Sequence, residues 1–396
     1  MNYKQTKLFS EFRCVGGGCV NNCCHDWSVL WSSDGVEKLK AASGCSEELK
    51  RLVQSVFVPN NNGKYNIKLK ENGDCPFQLE DGLCIIQKEL GESYLSDDCT
   101  SFPRIGFAAR NSVYCSCVLS CPAVFQKLLD EENAAVLLTS SEKLDIRGTV
   151  RQSADRSELA ASRPELKYHK ELLEFFYEII SDKRFSTEVN IVRGALAAEK
   201  LSETASAGGK IAGMIEDLRE ALEEDDVIRV VEEVQPEYEA KLRMFSVYTE
   251  SLCGSALADL FKNGEGRADA SAFAFAEEKL AALLKPFGFG NIVLGLLLEM
   301  EVPFRFRSKS IYENYCEFAV VAAVVKMTAL AAAINDKLSI EAESRKTSEL
   351  HGTDRISGLC SFVIRRVNQN IGSVKTLFER FSSGGLTPRD IAMLIK

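Results

Sequence analysis

Eleven of the fourteen cysteines lie within the first 121 residues: Cys14, Cys19, Cys23, Cys24, Cys45, Cys75, Cys84, Cys99, Cys115, Cys117 and Cys121. Thiolates are soft ligands that suit zinc or an iron–sulfur cluster. The gradient therefore points to a metal site, or a set of cross-links, built into the N-terminal third. Gly16, Gly17 and Gly18 let the chain bend tightly between Cys14 and Cys19, because glycine adopts backbone angles closed to other residues. Cys23 and Cys24 are adjacent and cannot easily bridge each other, which favours a cluster over a disulfide. Cysteine is also a small buried hydrophobe, and Cys45, Cys115 and Cys117 read as core or spare thiols. Cys253, Cys316 and Cys360 sit in helical patterns and read as packing. The chain has three His, and only His25 lies near the thiols, so an all-sulfur site is expected. That suits a 4Fe–4S cluster or a zinc site with four thiolates. The paired short spacings of zinc ribbons are missing. Cys19 and Cys23 begin a Cys-x3-Cys-x2-Cys run, but Asp26 stands where the third cysteine would be.

The elements that must position these thiols can be read coarsely. At 396 residues, with 45% hydrophobic and 27% charged residues, the chain is globular and long enough for two domains. A net charge of −9 argues against a nucleic-acid partner, which would need a basic face. The first residues lack a secretory pattern, so a reducing cytoplasm is expected, where structural disulfides seldom persist. The longest apolar stretch, Phe318 to Ile334, contains Lys326 and reads as a buried helix, not a membrane span. Residues 34–57 read as one or two helices. Tyr65, Ile67 and Leu69 alternate as in a strand, with a turn at 71–74, and Val113, Cys115, Cys117 and Leu119 alternate likewise. Pro122 opens a short helix. Residues 139–163 are polar and aperiodic and read as a linker. From Pro164 onward the pattern is helical, with Asp269 as an N-cap. The expectation is a mainly α protein: a cysteine-rich, irregular metal-cluster domain over 1–138, the linker 139–163, and a mostly helical domain over 164–396.

The chain resembles the bacterial flagellin lysine-N-methylase family. The likeness is carried by Phe12-Arg13-Cys14-Val15-Gly16-Gly17-Gly18-Cys19, by Cys23-Cys24 with Trp27, and by Cys75-Pro76-Phe77 with Leu79. It continues through Asp81-Gly82-Leu83-Cys84, Glu89-Leu90-Gly91-Glu92, Leu95-Ser96 with Cys99, Pro103-Arg104, and Leu119-Ser120-Cys121-Pro122. It covers roughly residues 10–125. The resemblance implies a metal-cluster domain, S-adenosylmethionine as methyl donor, and surface lysines of flagellin as acceptors. It carries Cys14, Cys19, Cys23, Cys24, Cys75, Cys84, Cys99 and Cys121 over as shared positions, more than one four-iron cluster can use. His25-Asp26 stands where small or polar residues are expected, and Phe102 replaces the more usual Tyr.

Methylation of a lysine requires an unprotonated amine, whose ordinary pKa is about 10.4. A base or desolvation must supply it. Asp26, Glu80, Asp81, Asp97 and Asp98 are the nearby carboxylates, each of which could equally cap or solvate a turn. No nucleotide-binding glycine loop follows a strand. Gly288-Phe289-Gly290 reads as an interhelical turn. A donor would therefore bind near the thiols, with Arg104 able to clamp its carboxylate. The acidic run 216–239 reads as a solvated helix face, or as a docking face for a lysine-bearing protein, and Trp27 and Trp31 as a shared core face, or as the lining of a pocket. Two other readings stay open: a metal-chelating or redox-sensing protein without catalysis, and an interaction protein whose cysteines only staple it.

Overall fold

The computed structural model describes residues 2–25, 27, 29–140, 150–252, 254–335, 351–369 and 385–396. The fold is mainly α. The N-terminal third is more regular than its sequence implied, because it holds two small sheets. In the first, the order is Arg104–Ala109, Ser112–Cys117, Asn2–Thr6, Leu137–Ser140. Asn2–Thr6 runs parallel to Ser112–Cys117, and the other pairings are antiparallel. In the second, Tyr65–Ile67 lies between Leu30–Trp31 and Phe57–Pro59.

The alternation at Val113, Cys115 and Cys117 is a strand, but all of Ser112–Cys117 is buried. Helices Lys7–Glu11 and Gly288–Glu299 both pack against it. Two helices, Ser33–Lys40 and Glu47–Ser55, cover 34–57, each opened by a serine whose hydroxyl accepts from a first-turn amide, a common start signal. Asp269 caps Ala270–Leu283 as expected. Gly288 and Gly290 are not in the turn between helices, as read from sequence; they lie in the first turn of Gly288–Glu299. A Cβ on them would meet Leu129 at 3.4 Å and Thr187 Oγ1 at 3.2 Å, so they permit close approach of neighbouring elements.

The buried apolar side chains form two clusters. The smaller runs from Val29 to Ile86 and includes Trp31, Leu49 and Phe77. The larger takes in the helices beyond residue 164, and also Leu8, Phe9, Phe12, Phe107 and Leu119. Helix Ile311–Ile334 is long and apolar enough to cross a membrane, but its apolar window is 83% buried inside the protein. Its length and composition are those of a core helix. Cys316 and Cys360 are buried there, as packing residues; Cys253 lies outside the described residues.

Of the stretch read as a linker, residues 141–149 lie outside the described residues. The remainder packs firmly. Arg151 exchanges backbone hydrogen bonds with the edge strand, donating to Gly106 and accepting from Ala108. Ala154 is fully buried and its N–H donates to Nδ1 of His169 at 3.4 Å. His169 is itself fully buried, stacked on Phe107 with Phe304 edge-on. Burial, with the Arg307 charge adding to it, pushes its pKa down to about 4. The unfolded imidazole takes a proton near pH 6.5. His169 therefore stabilises the fold fully above that pH, and the contribution is lost as pH falls towards 4. The loss is about 3 kcal/mol. Denaturant titrations between pH 7 and 4 should show a shallower pH dependence for His169→Phe than for the native chain, whatever its starting stability. Identical slopes would contradict the assignment.

Candidate metal centre and adjoining cavity

The loop Cys14–Cys19 folds as a 3-10 turn over Gly16–Gly18. It rests on the Asp81–Leu83 turn so closely that a Cβ on Gly17 would lie 2.3 Å from the Asp81 carbonyl oxygen. Only glycine fits there. Next, Asn22 Oδ1 accepts from the Cys24 amide at 2.9 Å, and the Cys24 carbonyl accepts from the Cys75 amide at 2.7 Å. These bonds bring the second and third cysteine segments together. Cys84 and Cys121 are the N-cap residues of Ile85–Leu90 and Pro122–Asp130. Cys99 lies in the first turn of Asp97–Ser101, capped by Ser96. Helix N-termini favour negative charge, so three thiols sit where a thiolate is best tolerated.

All eight family-shared cysteines, Cys14, Cys19, Cys23, Cys24, Cys75, Cys84, Cys99 and Cys121, line one cavity of about 470 Å³. Cys45, Cys115 and Cys117 do not. Burial holds most of these thiols neutral, pushing Cys75 up to about 11 and Cys99 and Cys121 up to about 12. Cys23 is the exception. A hydrogen bond from the Cys24 thiol and the nearby Arg365 charge lower its pKa, while that same bond and burial raise that of Cys24. A charge on Cys23 is felt by Cys19, Cys24, Cys75, Cys84, Cys99 and Cys121, which makes it the electrostatic hub of the set. Among the described residues, no three His, Cys, Asp or Glu side chains stand close enough to grip a single ion. His25 is turned away, its Nδ1 2.8 Å from Asp74 Oδ1.

A second cavity, of about 750 Å³, adjoins the first and shares Cys23, Trp27, Trp31, Phe102, Pro103 and Arg104 with it. The two tryptophans do not form one core face. Trp31 is buried at 2% exposure against Phe57 and Phe77, whereas Trp27 is half-buried against Phe102. Arg104 stands in the shared wall, donating to the Phe12 carbonyl at 3.0 Å and lying over the Phe9 and Phe12 rings. Asp97 and Asp98 line the second cavity, and Asp98 Oδ2 accepts from the Leu30 amide at 3.3 Å. Glu80 and Asp81 are exposed, with Asp81 paired to Lys88 at 3.3 Å; Asp26 lies outside the described residues.

Sequence reasoning missed four lining residues from distant helices and loops: Glu299, Arg305, Arg365 and Asn368. The run Phe304-Arg305-Phe306-Arg307 and the pair Arg365-Arg366 were their only signals. Arg365, 8% exposed, donates to the Asn21 side-chain and main-chain oxygens and to the Asn22 and Ser120 carbonyls, each at 3.2 Å. It thereby ties the loop before Cys23 to the loop before Cys121. Glu299 accepts from the Leu119 amide at 2.8 Å and from Asn368 at 2.6 Å.

No family model and no solved structure matches the chain. It is 34% identical over 142 residues to the lysine-N-methylase of Salmonella typhimurium, and equally so to that of Salmonella choleraesuis; each match covers 35% of both proteins. With the flagellar biosynthetic protein FliU of Salmonella muenchen it shares 33% identity over 130 residues. That is 32% of this chain but 77% of FliU. The chain belongs to the FliU family. It covers only about a third of the length of the lysine-N-methylases.

In this FliU-family chain, Arg365→Met should leave several buried loop carbonyls without a donor. Each costs about 1–3 kcal/mol when orphaned. Denaturation should show a loss of about 3 kcal/mol or more, and bound metal per chain should fall with it. Unchanged stability and metal content would show that the guanidinium does not hold the two loops.

Proposed function

We propose that this protein is an S-adenosylmethionine-dependent lysine N-methyltransferase acting on flagellin, with a cysteine-held iron–sulfur cluster beside its reaction cavity. The single observation that carries the reading is the shared wall. Eight thiols surround one cavity, and that cavity abuts a second of about 750 Å³, within the usual size of small-molecule sites. The names of the related lysine-N-methylases and of FliU supply the reaction class and the flagellar context.

Eight thiols around a cavity of about 470 Å³ leave room for a centre larger than a single ion, which supports a 4Fe–4S cluster over one zinc. Four of the eight, with Cys23 at their electrostatic centre, would hold it. Bound there, the cluster would offset part of the thiolate charge that burial otherwise disfavours.

The chain's own residues prepare the transfer. The methyl carbon leaves the donor sulfur, which keeps the C–S bonding pair and becomes a neutral thioether. The lysine nitrogen supplies the pair for the new C–N bond, after its excess proton has passed to a carboxylate. Asp97 and Asp98, on the second cavity, are placed for that proton; Glu80 and Asp81, paired or solvated outside it, are not. The reading implies that flagellin is met as an unassembled subunit in the cytoplasm, before export.

Anaerobically purified protein incubated with S-adenosylmethionine and flagellin should add methyl-sized mass steps to lysines. Cys23→Ser should abolish them, while Cys45→Ser should leave them within about twofold. Metal-replete native protein that never transfers a methyl group would be the chelating or redox-sensing protein instead.

A further inference from the structure

Trp27 and Phe102 line the larger cavity with their ring centroids 5.3 Å apart, and Arg305 lines it too. The remaining guanidiniums of this cavity are engaged. Arg151 pairs with Glu301 at 2.7 Å, Arg365 holds loop carbonyls, and Arg104 is committed to the Phe12 carbonyl and two phenyl faces. Arg305 has one long hydrogen bond, 3.4 Å to Asn368 Oδ1, and lies over the Phe306 ring at 5.6 Å; the charges of Glu317, Glu299 and Glu301 reach it, but among the described residues no carboxylate stands at ion-pair distance. Asn368 is fixed in turn, since its Nδ2 donates to Glu299 Oε1 at 2.6 Å. The chain Glu299–Asn368–Arg305 thus orients a planar fork on a cavity wall and leaves most of its donors unspent.

We propose that this cavity is the methyl-donor site, with the adenine ring against Trp27 and Phe102 and the amino-acid carboxylate on Arg305. The assignment rests on the methyltransferase reading above and adds residues to it. Aromatic faces stack on a nucleobase whatever its edge pattern, and the guanidinium fork matches a carboxylate in two-point contact. The reacting sulfur then lies in the cavity that Cys23 also lines. Arg104, the clamp expected from sequence, becomes a wall residue instead.

Two ligands that cannot transfer a methyl group separate the possibilities: S-adenosylhomocysteine, which keeps the carboxylate, and methylthioadenosine, which lacks it. Calorimetric titration of full-length, metal-replete protein should detect both. Arg305→Met should weaken S-adenosylhomocysteine at least about tenfold and leave methylthioadenosine within about twofold of the native value. Arg104→Met should change neither by more than that. Retained methylthioadenosine binding also shows that the variant has folded. If Arg305→Met weakens neither ligand or both alike, or if Arg104→Met is the selective variant, the assignment of Arg305 is overturned and the methyltransferase reading stands. If the native protein binds neither ligand, the donor reading itself is overturned along with the site.

Discussion

One buried guanidinium joins parts of this chain that lie far apart in sequence. Arg365 reaches from helix Gly352–Gln369 to carbonyls at Asn21, Asn22 and Ser120. Backbone oxygens in loops cannot be left dry without cost, and loops this rich in turns have no neighbouring strand to satisfy them. Arginine answers that need with several donors in a fixed plane and a charge that does not titrate away. The same charge favours the thiolate at Cys23. The helical body therefore helps to build the cysteine site as well as supporting it.

The site carries an internal tension. Burial raises the pKa of most of its thiols, and a charge on Cys23 raises the others further. The proposed cluster would add cationic charge at the centre of this set, where metal binding reverses the local titration logic. Placing Cys84, Cys99 and Cys121 at helix starts points the same way. Backbone amides at 86 and 87 stabilise the Cys84 thiolate, and those at 123 and 124 stabilise that of Cys121.

The eight cysteines were singled out by the family resemblance, and Cys45, Cys115 and Cys117 were set apart from the residues alone; one cavity is lined by the eight and by none of those three. Helix starts at Pro122 and Asp269 were legible, since helix starts are a matter of a few adjacent residues. The second cavity was not. Glu299, Arg305, Arg365 and Asn368 meet there only because helix Gly288–Glu299 packs under the strand Ser112–Cys117 and helix Gly352–Gln369 packs beside Pro122–Asp130. Nothing in the residues flanking each one marks such long-range packing. Likewise, the polar, aperiodic sequence at 150–163 hides backbone pairing to the sheet edge and a buried contact to His169.

The proposed function stands on a polynuclear metal centre enclosed by the eight thiols. Iron and acid-labile sulfide per chain in anaerobically purified full-length protein, alongside its visible spectrum, test it. A brown protein is expected, with iron and sulfide in near-equal amounts and sulfur-to-iron absorption that bleaches on reduction. A colourless protein carrying zinc, or one whose eight cavity thiols all react freely with a thiol reagent, would contradict it.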